Sequence, residues 1–282
     1  MRRLLTVAAF MLLVPCSPAA GQSVQYRTST GLEFRAEPDT GPVRRASEAL
    51  AAAPRDIDRI IALGLAQAGA RQYREAIWTF SSGLAFAPND ARLLRWRGHR
   101  YLTVREFDLA LVDLTRGAKV DSTMYGIWYH LGVVRFARGE FAAAAAAFAR
   151  AQPIAPDAGE LAGSTDWRWM SLARAGRRAE GDAMLATRPD SLHATNAYAQ
   201  RLRMYRGETP ATELITSADT AEIQVATLQF GLGNWYLVQG DTARAREAFT
   251  QALRPGGWPS FGYIVAEREL ARLGARSAAP RR

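Results

Sequence analysis

Apolar and small residues recur along this chain on two scales. On the short scale the spacing is helical. Phe141, Ala144, Phe148 and Ala151 follow one another at intervals of 3, 4 and 3, which puts them on one helix face. On the long scale those faces return at every thirty-fourth position. Gly64, Gly98 and Gly132 keep that spacing, as do Ala76, Ala110 and Ala144, Tyr73, Phe107 and Phe141, and Phe80, Leu114 and Phe148. Pro88, Ser122 and Pro156 close the units, and proline cannot continue a helix. The pattern predicts three hairpins of two helices, starting near residues 57, 91 and 125. The glycine on the first helix and the alanine on the second are expected to let the pair approach closely, with Ala144 facing Gly132. A single hairpin cannot bury its own apolar faces, so the units must stack.

The pattern returns late in the chain. LQFGLGNWYLVQGDTARAREAFTQAL carries Gly233, Tyr236, Ala245, Phe249 and Ala252, and predicts a further unit from about residue 226. Gly233 follows Gly132 by 101 residues, one short of three periods. Two degenerate hairpins are therefore expected over Trp167–Pro189 and Asn196–Ile215, within residues 159–225, with Ala158–Asp166 as a linker. A last amphipathic helix, about Pro259–Leu273, has Tyr263, Ala266, Leu270 and Leu273 on one face and would cover the apolar end of the array. The unit and this capping helix fill residues 226–275, and residues 276–282 read as a disordered tail. At the other end, the array of residues 43–158 opens with a half-unit, Val43–Ala53. Residues 22–42 form an N-terminal extension in which Val24, Tyr26, Leu32 and Phe34 alternate as in a short extended piece or hairpin.

The period and residue order resemble the tetratricopeptide repeat, whose signature is W-x2-L-G-x2-Y, then A-x3-F, then P. The third unit carries it most fully, with Trp128, Leu131, Gly132, Ala144, Phe148 and Pro156. The resemblance implies an all-α, right-handed superhelical solenoid of helical hairpins. Its structural positions are Gly64, Gly98, Gly132, Gly233, Ala76, Ala110, Ala144 and Ala245. It also implies that the first helix of each unit lines a concave groove that holds extended peptides. Carried onto this chain, the groove positions are Arg92, Arg95, Trp96, His99, Leu102 and Thr103 in the second unit. In the third they include Tyr129, His130, Val133 and Phe136, and in the last, Phe230 and Asn234. In the first unit they are the blander Asp58, Ile61, Ala62 and Leu65. The lysine-and-asparagine clamp of chaperone-binding repeats is absent. The last third, with MYRGETPATELI and VAERELARLG around the late unit, is similar to bacterial envelope lipoproteins of the NlpI type. These are adaptors that dimerise and scaffold a tail-specific protease and peptidoglycan hydrolases.

Charge changes this picture little. Lysine and arginine outnumber aspartate and glutamate 36 to 27. Without Arg2 and Arg3, in a segment expected to be removed, the excess falls from +9 to +7. Nothing in the basic residues is arranged for nucleic acid. Residues 1–21, MRRLLTVAAFMLLVPCSPAAG, have the basic start, the apolar stretch and the small-residue end of a secretory signal peptide. Two outcomes stay open: cleavage before Gln22, or lipidation at Cys16, although Pro15 is unusual for the latter. Either sends the chain to the periplasm or envelope of a bacterium.

The candidate chemistry is recognition. An arginine fork pairs with a carboxylate in two parallel hydrogen bonds, and Trp96 and Tyr129 offer apolar anchors with polar tips. The expected partner is a protein or peptide presenting an acidic segment or a C-terminus; a lipid anchor and a homodimer are compatible with the same reading. His99 and His130 sit where neighbouring helices could bring them together, but two histidines without a carboxylate make a poor metal site. With His193 they are the only histidines. No catalytic residue, metal or cofactor is expected. Glu267 and Glu269 read as a solvated helix face. The leading expectation is an exported scaffold or adaptor that is not an enzyme. The alternatives are a purely structural role with dimerisation through the terminal hairpins, a non-catalytic accessory subunit of an envelope protease or peptidoglycan hydrolase, and a hydrolase with an unrecognised site.

Overall fold

The computed structural model describes residues 23–187 and 194–278. Residues 1–21, Cys16 and His193 lie outside them. The first described elements are two antiparallel strands, β1 (Val24–Arg27) and β2 (Glu33–Arg35), with Tyr26 opposite Phe34. The remaining elements are helices: α1 (Pro42–Ala52), α2 (Ile57–Gly69), α3 (Tyr73–Phe86), α4 (Ala91–Thr103), α5 (Phe107–Val120), α6 (Tyr125–Arg138) and α7 (Phe141–Ala151). Then follow α8 (Ala158–Arg174), α9 (Arg178–Ala186), α10 (Ala197–Tyr205), α11 (Glu222–Val238), α12 (Thr242–Ala252) and α13 (Phe261–Ala278). Consecutive helices pack side by side from α1 to α9, so the fold is an all-α helical-repeat solenoid.

Local chemistry repeats with the period. Asp56 and Asp90 cap α2 and α4 in the same way. The Asp56 carboxylate accepts from the amides of Asp58 and Arg59, and that of Asp90 from Arg92 and Leu93. Each satisfies amides that a helix start leaves without partners. The turn between the paired helices needs one residue with left-handed backbone. Gly139 fills it in the third unit at φ 84°, but Arg71 and Arg105 fill it in the first two, at φ 52° and 65°. An L side chain there is held against its preference. Both arginines are tied into the ends of the chain, Arg71 to Glu37 at 2.9 Å and Arg105 to Glu267 at 2.8 Å.

The repeat glycines do make a close approach, and the tightest contact is with the large residue of the second helix. A Cβ added at Gly64, Gly98, Gly132 or Gly233 would come 2.3–2.7 Å from Phe80, Leu114, Phe148 or Phe249. The glycine thus admits the large residue sixteen positions on; at Gly98 the carbonyl of Ala110, twelve on, also stands 3.5 Å from the added Cβ. Ala76, Ala110, Ala144 and Ala245 are fully buried all the same. In the alanine run of α7, Ala144, Ala145 and Ala147 are buried, because the helix is sandwiched between α6 and α8, whereas Ala142 and Ala146 are exposed.

Three further expectations are corrected. Ala158–Asp166 is the first half of the 17-residue α8, capped by Asp157, with Ala162 to Asp166 buried. Helix α13 runs to Ala278, into the segment expected to be a disordered tail. It also does more than cover the last unit. Besides α11 and α12 it packs on α6, so it folds back against the inside of the array. Its carboxylates are accordingly not solvated. Glu269 is 1% exposed and binds Arg174 at 2.9 Å and Arg272. Glu267 accepts from Arg105 at 2.9 Å and from the Tyr26 hydroxyl at 3.2 Å. Trp258, just before α13, stacks on Phe34 of β2 at 5.0 Å and meets Tyr73 edge-on at 5.3 Å. The N-terminal hairpin and the C-terminal segment therefore close on each other across α3 and α4.

Candidate peptide-binding cleft

Helix α4 sets the site. The Asp90 cap fixes its start, and the 3- and 4-residue spacings then align Arg92, Arg95, Trp96 and His99 along the concave side. The outer part of that side is open. A cleft of about 620 Å³ is bounded by Ile61 and Leu65 of α2, Arg92, Arg95 and Trp96 of α4, Tyr125 of α6 and Glu160 of α8. It contains all four first-unit groove positions, Asp58, Ile61, Ala62 and Leu65.

The two arginines of the cleft differ in kind. Arg92 is exposed and already satisfied, binding Asp58 at 2.6 Å and Asp90 at 3.0 Å. Arg95 is only partly exposed and, among the described residues, has no hydrogen bond or ion pair. Its guanidinium lies over the Trp96 ring, 3.4 Å from the centroid, and against Gly126, where an added Cβ would stand 2.6 Å from its Nε. The ring face offers a cation partial compensation at best. Burial first, and then the Arg100 charge, lower Arg95 to about 10, with Glu160 acting the other way. An arginine so placed presents free donors to an incoming carboxylate.

The inner part of the same side is filled by the chain itself. Phe261, the first residue of α13, lies 5.3 Å from His99, 5.5 Å from His130 and 6.1 Å from Tyr129 between ring centroids. The two histidines do meet, their rings stacked 4.1 Å apart. Both are held well below the ordinary histidine range, first by burial and then by the Arg95 and Arg100 charges. They are neutral rings in an aromatic stack. No group of three or more histidine, cysteine, aspartate or glutamate side chains among the described residues is placed to hold a metal ion.

Two candidates lie away from the groove altogether. Phe136 is fully buried and edge-on to Trp167 at 5.3 Å and Phe141 at 5.0 Å. Asn234 is also fully buried and accepts from Arg174 at 3.1 Å, inside the network that Glu269 completes. Among the expected groove residues, then, Arg92, Arg95 and Trp96 line an open cleft. His99, Tyr129 and His130 lie beneath Phe261, and Phe136 and Asn234 are interior. Periodicity places each on its own helix, but cannot tell that a segment from far later in the chain fills the space in front. It also gives no reason to single out Arg100, one turn inward, or the fully buried pair of Arg201 and Asp166 between α10 and α8. Gly231, where an added Cβ would come 2.3 Å from the Arg201 Nε, is the one local sign of the latter.

A family model agrees with the fold: residues 97–159 match one described as tetratricopeptide repeat. Protein FlbA of Caulobacter vibrioides is 30% identical over 149 residues, 52% of this chain. The chain spans about a quarter of that protein's length, 24%. Among solved structures, YrrB, described as having an unusual peptide-binding site, is 14% identical with a TM-score of 0.48, over 83% of this chain and 99% of its own. MamA is 17% identical with a TM-score of 0.46, over 59% and 90%. A repeat protein of Parabacteroides merdae is 13% identical with a TM-score of 0.47, over 79% and 90%.

Proposed function

We propose that this chain, a tetratricopeptide-repeat protein, is a non-catalytic scaffold that binds a protein or peptide segment in the open cleft of α2, α4 and α6. The carrying observation is Arg95, a partly buried guanidinium with no ion pair or hydrogen bond among the described residues, set on Trp96 beside apolar Ile61 and Leu65. The segment it fits is extended, with a carboxylate at Arg95 and an apolar side chain against Ile61 and Leu65. The carboxylate is an acidic side chain or a chain terminus. The cleft is preformed, so little ordering of the scaffold opposes binding.

The place of action in this reading is the bacterial envelope, on the strength of the signal-like residues 1–21. There the scaffold would serve as an accessory to an envelope enzyme. A second contact surface is favoured by Trp78 and Val112, one repeat period apart on α3 and α5, which are 74% and 63% exposed. Large apolar side chains aligned in this way on the convex side suit self-association.

Selection of displayed peptides against the purified chain tests the cleft. Peptides enriched on the wild type should share a carboxylate next to an apolar residue and be lost on Arg95→Glu, with the thermal midpoint unchanged. A peptide set that Arg95→Glu retains in full would overturn the reading.

A further inference from the structure

Arg100 is the most unusually placed charge in the described structure. It is 8% exposed, and its Nε is buried without a hydrogen-bond partner. One terminal nitrogen contacts the Nδ1 of His99 at 2.6 Å. No carboxylate among the described residues pairs with it. The other well-buried arginines are matched: Arg201 with Asp166, Arg174 with Glu269, and Arg105 with Glu267. Leaving one charge of such a pair out is strongly unfavourable, so an unmatched buried guanidinium calls for an anion.

The space for one is present. Arg100 borders a cavity of about 300 Å³ at the seam where α3 and α4 meet the start of α11 and the bend before α13. Tyr73 and Phe261 form aromatic walls, and Ile223 stands at the rim, 54% exposed. The Thr227 hydroxyl donates to the Ile223 carbonyl at 2.8 Å, and that of Ser260 to the Gly257 carbonyl at 2.7 Å. Their protons are committed. The Tyr73 hydroxyl has no partner among the described residues, and its ring lies 5.3 Å from the Arg100 Cζ. The Thr103 hydroxyl likewise donates to the His99 carbonyl at 3.1 Å, so Arg100 is the charged donor on the cavity wall and Tyr73 a hydroxyl beside it, with His99 and Tyr198 also lining the space.

We propose that this cavity binds a small organic carboxylate, its carboxylate on Arg100 and the Tyr73 hydroxyl, its apolar body against Phe261 and Ile223. One guanidinium balances one negative charge. A dianion such as phosphate would leave one charge without a cationic partner on the cavity wall. Burial lowers Arg100 to about 10, the mark of a cation without its counter-ion. The site is separate from the Arg95 cleft, so either can fail without the other.

Calorimetric titration of the full chain with benzoate, benzamide, inorganic phosphate and the tripeptide Ala-Ala-Phe, as free acid and as amide, tests this. Benzoate should bind at least tenfold more tightly than benzamide and than phosphate. Tyr73→Phe should weaken it and Arg100→Met should abolish it. Arg100→Met should keep or raise the thermal midpoint of the unliganded protein, because it removes an unmatched buried charge. Benzoate should raise the midpoint of the wild type only. A free-acid tripeptide that outbinds both its amide and benzoate makes the source a chain terminus; benzoate as the tighter ligand makes it a free metabolite. Either supports the site. Equal binding of acid and amide, preference for phosphate, or a steep fall in midpoint for Arg100→Met without any carboxylate effect on the wild type would overturn it.

Discussion

Phe261 sits 5.5 Å from His130, ring edge to ring face, although the two stand on helices far apart in the chain, α13 and α6. Through this contact the start of α13 occupies the inner half of the concave surface, and only the outer half remains as a cleft. Phe261→Ala should lower stability by less than the about 1.5–3 kcal/mol of a fully buried large apolar side chain, because the ring is only partly buried. Urea unfolding measures it. Hydrogen exchange should quicken in α13 and around His99 before it does in α2 and α3. Uniform quickening along the array would argue against a separately docked closing segment.

Gly132 and Phe148 are coupled. Gly132→Ala puts a Cβ about where the Phe148 ring is, so overpacking should cost about 1–3 kcal/mol. Combined with Phe148→Leu, the residue found at the matching position 114, the two losses should add to less than their sum. A double-mutant cycle in urea reads this directly. Strict additivity would mean that the glycine serves something other than the ring.

Ala144 and Ala146 separate the two sides of α7. Ala144→Leu, at a fully buried position between packed helices, should cost about 1–3 kcal/mol, whereas Ala146→Gln at an exposed position should stay within about 0.5 kcal/mol. Equal shifts in thermal midpoint would refute the orientation of this helix.

Arg201 and Asp166 are both fully buried, so removal of either charge alone strands the other. Asp166→Asn should cost about 3–5 kcal/mol, seen as a lowered denaturation midpoint. The paired change Asp166→Leu with Arg201→Met should cost much less. A single change as mild as the pair would show that the charges are not mutually required.

The two stacked histidines make the fold sensitive to acid. Their folded values lie well below the ordinary value of 6.5, so below that pH the unfolded chain binds protons that the native chain refuses. Their contribution is fully present above about pH 6.5 and is lost as pH falls beneath it, by up to about 1.4 kcal/mol per pH unit for each ring. Asp166, which burial pushes up to about 6 against the pull of Arg201, acts in the opposite sense between about 6 and 3.8. The difference between wild type and His130→Gln cancels that part. The wild type should lose more stability than the variant between pH 7 and 5.5 in urea titrations. Parallel curves would mean that His130 titrates freely in the native state.

The repeat was legible because its cause is local. A glycine that admits a ring sixteen positions on, an aspartate that caps a helix and a residue that closes a turn each act within one hairpin, and each recurs with the same period. Gly64, Gly98, Gly132 and Gly233 could therefore be found without coordinates, as could the hairpins of the three leading units and the outer groove positions Arg92, Arg95 and Trp96, whereas the first half of α8 and the interior places of Phe136 and Asn234 could not. Even so, it took coordinates to show that the tightest contact of Gly132 is with Phe148, because two side chains on one face cannot be ranked by spacing alone. What faces the concave side is a matter of distance in space. Only the tertiary structure placed Phe261 over His99 and His130, drew Asn234 into a network with Arg174 and Glu269, and left Arg95 and Arg100 without carboxylates. Periodicity reports which way a side chain points. Whether solvent, a ring or an opposite charge awaits it there depends on segments from distant parts of the chain, and that dependence leaves no local trace.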